Sequence, residues 1–320
     1  MISHEPAQLL VEAKKGSRTA LARLLTYVEA GGAHHRETVS LAYASPTPYV
    51  VGLTGAPGSG KSTLTDRLIT EALTRGRIDE AETFDQVAVL CVDPSSPFSG
   101  GAILGDRIRM QDHATNEHVF IRSMATRGHL GGLSLAVPDA LRVLGVADFP
   151  FVFVETVGVG QMEVEIASAA DTTIVVTNPG WGDSMQANKA GLLEVADIFV
   201  INKADRPGVR ETRRDLEQML DLGRPRSWRP MIVETCATND EGTETLFGAI
   251  DAHRRFLDED LLRESRRHRT QIELDRVVRI FVQSRVFELA KESAYEAEIE
   301  ALLEGRTDPY LAAERLLSSP

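Results

Sequence analysis

The amino-acid sequence predicts an α/β protein in which a mainly parallel sheet is covered by helices on both faces. Between residues 49 and 256, short apolar runs rich in Val, Ile and Phe alternate with segments of helical periodicity. This alternation is typical of parallel strands joined by crossover helices, and strands that are apolar throughout indicate that both faces of the sheet are buried. A glycine-rich stretch ends the first apolar run, and polar residues end several others, so we expect the chemistry at one edge of the sheet.

Seven apolar runs and the segments between them define the predicted elements. The predicted strands are residues 49–54, 87–92, 119–123, 151–155, 172–177, 197–201 and 231–235. The predicted helices lie near residues 61–75, 133–147, 183–195, 207–221 and 241–256. We therefore expect a three-layer α/β/α domain over residues 46–256.

Helical segments are predicted on both sides of this domain. Residues 1–45 carry apolar residues at helical spacing, interrupted at Gly16 and Gly31, and form a predicted N-terminal helical segment. Residues 257–320 carry an apolar helical stripe within a heavily charged stretch, followed by a short helix that starts at Asp308. Such a stripe has to be buried against another surface. Packing on the parent domain and formation of a dimer arm explain its periodicity equally well.

The composition excludes several classes of function. A net charge of -12 over 320 residues argues against a broad surface for nucleic acid or anionic membrane. No apolar run approaches the roughly 20 residues that span a bilayer, and the first residues lack the apolar core of a secretory signal. Cys91 and Cys236, the only cysteines, form no CxxC motif, which fits a reducing cytoplasm. The histidines form no ligand set, and His113 is expected near the surface. We expect a cytoplasmic protein without nucleic-acid or membrane partners.

The residues GAPGSGKS after the first predicted strand match the P-loop pattern G-x-x-x-x-G-K-[ST] at every fixed position. Its glycines allow the backbone to curl its N–H groups toward an anion at a helix N-terminus. Lys61 is expected to bridge the β- and γ-phosphates, and Ser62 to bind Mg²⁺. The residues assigned to the nucleotide are Gly55, Ala56, Pro57, Gly58, Ser59, Gly60, Lys61, Ser62 and Thr63. The predicted architecture is thus that of a P-loop NTPase.

A second loop, Asn202-Lys203-Ala204-Asp205, follows the sixth predicted strand and has the form N-K-x-D, which reads guanine in GTPases. The Asp205 carboxylate is expected to accept hydrogen bonds from guanine N1–H and the 2-amino group, which adenine lacks. Each lost charge-assisted bond costs about 1.5–3 kcal/mol, enough to separate GTP from ATP. Asn202 and Lys203 are expected to brace the base and the P-loop.

A third loop follows the seventh predicted strand and is expected to close over the 6-oxo group of guanine. Thr235-Cys236-Ala237 resembles the T-S-A loop of GTPases, with Cys in place of Ser. A backbone contact to the base is compatible with this replacement, whereas a hydroxyl contact is not. Cys236, Ala237 and Thr238 are the residues of this loop that we assign to the nucleotide.

Three carboxylates are candidates for the magnesium site. Glu155 ends the fourth predicted strand in a loop of the form D-x-x-G, with Glu in place of Asp. Asp93 follows the second predicted strand, and Asp106 lies in the segment between the second and third strands. Mg²⁺ takes oxygen ligands, usually one or two carboxylates with phosphate and water. The predicted ligands are Ser62, Asp93, Asp106 and Glu155, and at least one carboxylate is expected to act through water or to move with a switch.

Six stretches along the chain resemble one known family. They are GAPGSGKST (55–63), VDPSSPFSGGAILGDRIRM (92–110), RSMATRGHLGGL (122–133), VETVGVGQMEVE (154–165), GWGDSMQANKAGLLEVAD (180–197) and NKADRPG (202–208). In these stretches the chain resembles the MeaB/ArgK family, G-protein chaperones of adenosylcobalamin-dependent acyl-CoA mutases within the SIMIBI class of P-loop GTPases. The likeness is strong over residues 45–255 and extends to both flanks by pattern only.

The resemblance implies a GTP-hydrolysing homodimer whose C-terminal arm embraces the other subunit. It implies docking on methylmalonyl-CoA mutase or a related mutase, where the GTPase gates cofactor loading and protects or reactivates the enzyme. Lys189 lies in a segment that resembles the switch through which the family senses its mutase. With Lys61, Glu155 and Asp93 it completes the predicted catalytic residues. Hydrolysis is expected to be slow without the partner, because no water-orienting Gln lies next to Gly158.

The competing interpretation is a P-loop kinase or ATPase linked to amino-acid transport. Asn202 and Asp205 discriminate between the two, because a kinase that uses ATP has no need to read guanine.

Overall fold

The computed structural model describes residues 5–78, 85–94, 110, 113, 115–126, 133–156, 169–180, 194–223, 226–291 and 293–318. The chain divides into two compact units, Met1–Arg269 and Thr270–Pro320. The described residues form seven strands and ten helices.

The seven strands form one sheet. They are β1 (Tyr49–Gly55), β2 (Val87–Pro94), β3 (Val119–Thr126), β4 (Phe151–Thr156), β5 (Thr172–Thr177), β6 (Ile198–Asn202) and β7 (Met231–Thr235). Their order is β3-β2-β4-β1-β5-β6-β7, and every pairing among them is parallel. The predicted parallel sheet is confirmed. Because β1 is the central strand, its carboxyl end lies in the middle of the edge where ligands bind in such sheets.

Ten helices accompany the sheet. They are α1 (Pro6–Lys14), α2 (Arg18–Ala30), α3 (Ala33–Ala42), α4 (Lys61–Ile78), α5 (Leu133–Val146), α6 (Val209–Leu222), α7 (Thr243–Phe256), α8 (Glu259–Leu289), α9 (Ser293–Leu303) and α10 (Pro309–Ser318). The helix predicted near 183–195 lies almost wholly outside the described residues. Helix α9 had no counterpart in the sequence prediction.

The two faces of the sheet are buried in separate apolar clusters. Successive side chains of a strand point to opposite faces, so Val50 belongs to one cluster while Val51 and Leu53 belong to the other. The first cluster includes residues of α1–α3 and α5, and the second includes residues of α4 and α7. A third cluster joins β5 and β6 to α6. The architecture is therefore the predicted three-layer α/β/α arrangement.

The N-terminal helices share a core with the sheet. Leu24 of α2 is fully buried and lies in one cluster with Leu144 of α5 and Val152 of β4. Arg122 of β3 also makes an ion pair with Glu29 of α2. Burying a leucine side chain stabilises a fold by about 1.5–3 kcal/mol, so these helices contribute to the stability of the α/β unit.

A buried carboxylate at the amino end of the sheet fastens the start of α8. Asp171 accepts hydrogen bonds from the Val50 amide at 2.9 Å and from two nitrogens of Arg266 at 2.9 and 3.1 Å, and it pairs with Arg269. Burial alone would raise the pKa of Asp171, but Arg269 and Arg266 outweigh it and lower that pKa below its ordinary value. The carboxylate therefore stays ionised and pairs two arginines of α8.

A polar chain of side chains continues along the same end of the sheet. Tyr49 Oη lies 2.6 Å from Thr172 Oγ1, which lies 2.9 Å from His253 Nδ1, and His253 Nε2 lies 3.4 Å from Asp197 Oδ1. Burial raises the pKa of Asp197 to about 6, although the hydrogen bond that Asp197 accepts from the Thr173 amide lowers that pKa in part. Burial also lowers the pKa of His253 to about 4, although the negative charge of Asp171 raises that pKa in part. At neutral pH the pair therefore consists of an ionised aspartate and a neutral imidazole.

The Thr270–Pro320 unit contains the later part of α8 together with α9 and α10, which pack on each other. In this part of α8 large apolar side chains are exposed; they are Leu274, Val278, Phe281, Val282, Val286 and Phe287. The predicted apolar stripe thus lies on a continuous helix. Among the described helices, none combines the length and the apolar character that crossing a membrane requires.

Candidate active site

The P-loop connects β1 to α4 at the centre of the sheet. Gly55 has φ +136°, and a Cβ at this position would lie 2.1 Å from the Val176 carbonyl oxygen of the neighbouring strand. Gly58 and Gly60 also have positive φ, +73° and +93°. The glycines thus permit both a left-handed backbone and a close approach to β5. Ser59 is fully buried, while Ala56, Pro57, Gly58, Gly60 and Thr63 are half-buried or exposed.

Lys61 folds back over the loop that precedes it. Its Nζ donates to the carbonyl oxygens of Gly55 at 2.7 Å and Ala56 at 3.0 Å, and the residue is buried. The ammonium group is thus held at the mouth of the glycine loop, where it supplies a positive charge close to the N-terminus of α4. Both features favour a bound anion such as a nucleotide phosphate.

Glu155 is buried beside the start of α4. Its register partner on β1 is Leu53, which places it at the same sheet edge as the P-loop. Oε1 accepts from the Ser62 hydroxyl at 2.6 Å, and Oε2 accepts from the Thr65 hydroxyl at 3.1 Å. Thr65 was missed by the sequence prediction. It lies one helical turn after Ser62, and only the pairing of β4 with β1 brings both hydroxyls to one carboxylate.

The donor set at Glu155 and Ser62 fits a magnesium ion. The Ser62 hydroxyl and the Glu155 carboxylate, which both offer oxygen atoms as metal ligands, lie in direct contact at the N-terminus of α4. In nucleotide sites Mg²⁺ usually takes one or two carboxylates together with phosphate and water. The backbone of Asp93 ends β2 next to β4, but its side chain lies outside the described part of the structure. Asp106 and Lys189 lie outside the described residues altogether. Among the residues described, no group of three or more His, Cys, Asp or Glu side chains could hold a metal.

One sequence prediction next to this site is wrong. His113, expected near the surface, is 9 % exposed. Its Nε2 lies 3.1 Å from the Asp66 carbonyl oxygen and 3.5 Å from Asp66 Oδ1 of helix α4. The polar neighbours in sequence suggested exposure, but the imidazole finds its polar partners on α4 instead of in water.

Asn202 joins three loops at the end of β6. Its Nδ2 donates to the Ser59 carbonyl oxygen at 2.8 Å. Its Oδ1 accepts from the Thr235 hydroxyl at 3.1 Å and from the Ala237 amide at 3.2 Å. A Cβ at Gly60 would lie 2.3 Å from Asn202 Nδ2, so only glycine leaves room for this contact. Thr235 belongs to the predicted third loop but was not assigned to the nucleotide, and its contact with Asn202 was not predicted.

Lys203 makes a further link to the P-loop. Its Nζ donates to the Gly58 carbonyl oxygen at 2.6 Å, and its own φ of +60° lies in the left-handed region. The predicted guanine loop and the P-loop are therefore joined by two side chains of consecutive residues. This arrangement fixes the distance between the P-loop and the predicted guanine loop.

Asp205 is exposed at the rim and faces the loop after β7. The Cys236 thiol lies 3.3 Å from Asp205 Oδ1 and 3.4 Å from Thr238 Oγ1. The Ala204 amide donates to the Thr235 carbonyl oxygen at 3.0 Å, so the two loops are also joined through their backbones. The structure thus brings the described predicted base-binding residues to one place.

Comparison with known proteins identifies the family of the chain. Residues 21–293 match the family described as methylmalonyl Co-A mutase-associated GTPase MeaB. A Pyrococcus abyssi protein named as a GTPase is 47 % identical over 316 residues, covering 97 % of this chain and 95 % of its own. A fused isobutyryl-CoA mutase of Cupriavidus metallidurans is 37 % identical over 242 residues, which are 72 % of this chain and 21 % of the mutase.

A solved structure agrees with the sequence relatives. The protein titled LAO/AO transport system kinase superposes with a TM-score of 0.72 at 26 % identity, covering 99 % of this chain and 98 % of its own. The P-loop, the N-K-x-D loop and these likenesses together leave one classification: the chain belongs to the MeaB family of P-loop GTPases, which hydrolyse GTP.

Proposed function

We propose that this GTPase docks on an adenosylcobalamin-dependent acyl-CoA mutase of the methylmalonyl-CoA mutase type. There it gates cofactor loading and protects or reactivates the mutase. The observation that carries the proposal is the fused isobutyryl-CoA mutase, in which a segment 37 % identical to this chain occupies about a fifth of the polypeptide. Two activities on one polypeptide are held at high effective concentration, which favours a working contact between them. The family description, a GTPase associated with a mutase, supports the same partner.

The reaction assigned to the site is hydrolysis of the γ-phosphate of GTP. Lys61 would exchange the Gly55 and Ala56 carbonyl oxygens for phosphate oxygens, a short movement of a charge already at the loop. Ser62 and Glu155 would hold Mg²⁺ and release their mutual hydrogen bond to do so. The ion would neutralise charge on the phosphate oxygens. Asp205 would accept the guanine N1–H and 2-amino groups, and Asn202 with Lys203 would keep the base loop in register with the P-loop.

We expect the mutase to stimulate GTP hydrolysis because hydrolysis depends on the groups that position the attacking water. Phosphoryl transfer depends almost wholly on positioning and charge stabilisation. Lys61 would provide charge and Glu155 would bind the metal, whereas Lys189 is the predicted contact that the mutase orders. A tenfold acceleration needs only about 1.4 kcal/mol of added transition-state stabilisation, which one newly placed cation can supply.

A steady-state assay of GTP hydrolysis with and without the mutase tests this proposal. We expect the mutase from the same cell to raise the rate at saturating GTP. Lys189→Ala should reduce the stimulated rate more than the basal rate, whereas Lys15→Ala, which removes an exposed charge from the turn after α1, should leave stimulation intact. No stimulation by any cobalamin-dependent mutase would refute the partner, and equal stimulation of wild type and Lys189→Ala would refute the role of Lys189.

The homodimer is the second part of the proposal. The exposed apolar side chains of α8, which include Val278, Phe281 and Val282, form a surface of the kind that a second subunit covers. Removing everything after residue 256 would confuse the test, because Asp171 would lose Arg266 and Arg269. A single substitution is cleaner.

Light scattering of two point variants tests the dimer. Phe281→Asp should convert a dimeric protein to a monomer at micromolar concentration. Leu222→Asp, at an exposed leucine of α6 in the other unit, should leave the dimer intact. A monomeric wild-type protein, or a dimeric Phe281→Asp variant, would refute the arm.

The alternative function is that of a kinase, because the solved structure titled LAO/AO transport system kinase covers almost the whole chain. The two functions differ in the acceptor of the γ-phosphate and in the base that is read. Radiolabelled GTP and ATP should therefore be compared side by side. Release of inorganic phosphate from GTP alone supports the GTPase, and transfer of label from ATP to a small molecule or protein supports the kinase.

A further inference from the structure

Asp171 binds both backbone polar groups of one residue near the start of β1. Its amide donates to the Val50 carbonyl oxygen at 2.7 Å, and its Oδ2 accepts from the Val50 amide at 2.9 Å. The Asp171 side chain is 1 % exposed. Because Asp171 lies directly before β5, these two bonds join the amino end of β1 to the amino end of β5.

Arg266 of α8 binds to the same place from the other side. Its Nε and Nη2 donate to the two carboxylate oxygens of Asp171 at 3.1 and 2.9 Å. Its Nη2 also donates to the carbonyl oxygen of Pro48, the residue before β1, at 3.1 Å. One guanidinium group thus contacts the residue before β5 and the residue before β1. A displacement of α8 would have to carry both strands with it or break these bonds.

The carboxyl end of β1 is held against β5 by close packing. Gly55 pairs with Val176, and a Cβ in its place would lie 2.1 Å from the Val176 carbonyl oxygen. The Gly55 carbonyl oxygen also accepts from Lys61 Nζ. The strand between Val50 and Gly55 spans about 16 Å. A shift of β1 along β5 at its amino end would therefore displace the P-loop and the lysine that folds over it.

Stability alone is a weak explanation for this buried ionic group. Removing Asp171 and its two arginines from water costs free energy, and well-packed apolar side chains often stabilise a fold as much or more. The best-attested use of buried ionic groups is to fix register. Here register matters, because a slip of β1 by one residue would bring a side chain with a Cβ to the place of Gly55.

We propose that Asp171 and Arg266 are positioning residues for the nucleotide site, which transmit the position of α8 through β1 to the P-loop. Nucleotide binding and the attachment of α8 are then energetically coupled. Such coupling is reciprocal: loosening the attachment of α8 weakens nucleotide binding, and a bound nucleotide strengthens the attachment. The coupling requires only a nucleotide in the P-loop and is independent of the proposed mutase contact and of the proposed dimer.

Calorimetric titration with GDP tests the first direction of the coupling. Arg266→Ala should bind GDP about five- to tenfold more weakly than wild type, which is the lower end of the usual coupling between two sites. Asp171 keeps Arg269 in this variant, so the fold should persist. Asp171→Asn should also weaken binding, and the double variant should bind no more weakly than Asp171→Asn, because both changes break one link. Wild-type affinity in Arg266→Ala, or additive losses in the double variant, would overturn the inference.

Glu29→Gln is the matched control. Glu29 is also a buried carboxylate that pairs with an arginine, but its partner is Arg122 and the pair joins α2 to β3. The control should lower the free energy of unfolding and still bind GDP as wild type does. If Glu29→Gln weakens GDP binding as much as Asp171→Asn, general destabilisation explains the loss and the positioning role fails.

Hydrogen exchange followed by mass spectrometry tests the reverse direction. Global stabilisation by a ligand slows exchange equally in all segments that exchange through global unfolding. GDP should therefore protect the α8 amides around Arg266 more than it protects the amides of α2. Arg266→Ala should lose this additional protection of α8 while the P-loop remains protected. Equal protection of α2 and α8 in the wild-type protein, or full protection of α8 in Arg266→Ala, would overturn the coupling.

Discussion

The contact between Gly60 and Asn202 makes a quantitative prediction. In Gly60→Ala the new Cβ would lie 2.3 Å from Asn202 Nδ2, well inside van der Waals contact. Asn202 cannot turn away without losing its bond to Ser59, and Thr235 and Ala237 hold its other end. The substitution therefore breaks a buried polar junction and does not merely crowd it.

The magnitude follows from two effects. An alanine at the φ of +93° that Gly60 has carries a backbone penalty of about 1–2 kcal/mol. Loss of the buried bond from Asn202 to Ser59 adds about 1–3 kcal/mol. Gly60→Ala should thus lower the free energy of unfolding by about 2–5 kcal/mol.

A double-mutant cycle separates the two effects. In an Asn202→Ala background the collision partner is gone, so Gly60→Ala should then show only the backbone penalty of about 1–2 kcal/mol. Urea denaturation followed by circular dichroism gives the four free energies, and the double variant should be more stable than additivity predicts by about 1–3 kcal/mol. Gly248→Ala is the control: its Cβ would meet nothing within 4 Å, and a helical Gly→Ala change stabilises by about 0.5–1 kcal/mol.

Strict additivity of Gly60→Ala and Asn202→Ala would refute this reasoning, because the two residues would then be energetically independent. GDP titration of the same variants provides a second readout. Loss of the junction should weaken GDP binding in Gly60→Ala and in Asn202→Ala alike, whereas Gly248→Ala should bind GDP as wild type does.

Three further predictions concern charged side chains. Glu155→Gln should lower Mg²⁺-dependent GTP hydrolysis far more than GDP affinity, and a normal rate would contradict its role as a ligand. Asp205→Asn should weaken GTP binding and favour xanthosine nucleotides, because an amide donates to the 2-oxo group; calorimetry showing unchanged GTP affinity would contradict this. Asp197 has a folded pKa of about 6, above its ordinary 3.8, so it stabilises the fold as the pH falls below 6. His253 has a folded pKa of about 4, below its ordinary 6.5, so it destabilises the fold as the pH falls below 6.5. Asp197→Asn abolishes the first contribution, so urea titrations should show its stability falling more steeply than that of wild type between pH 6 and 4.

The strands were predictable because burial of both sheet faces leaves an unbroken apolar run in each. Val50 lies on one face of the sheet, and Val51 and Leu53 lie on the other. Because both faces are buried, all three positions are apolar. Helix α9 was not predicted, because the apolar residues of its sequence, SAYEAEIEALL, are spread around the helix and form no distinct apolar face.

The parts of the site that lie within one loop were predictable, as was the contact of Asn202 and Lys203 with the P-loop, but the contacts of Thr65 and Thr235 were not. Lys61, Ser62 and Asp205 belong to local patterns with a chemical meaning of their own. Thr65 and Thr235 gain their roles from strand register, which sets Glu155 beside Leu53 and Asn202 beside Thr235. A threonine in sequence gives no sign of which neighbouring strand will bring it a partner.

The packing of the N-terminal helices has a consequence for synthesis on the ribosome. Helices α1–α3 end at Ala42, but α5, with which they share a core, begins only at Leu133. At about 5–20 residues per second, roughly 5 to 20 s pass between the emergence of these two parts. During this interval leucines such as Leu24 cannot reach those of their final neighbours that lie in α5.

We therefore expect the nascent chain to be most prone to aggregation before α5 has emerged. Exposed apolar surface of this kind is what chaperones bind. Slowing translation between Ala42 and Leu133 by synonymous codons should lower the yield of native protein, whereas slowing it after Val146 should have little effect.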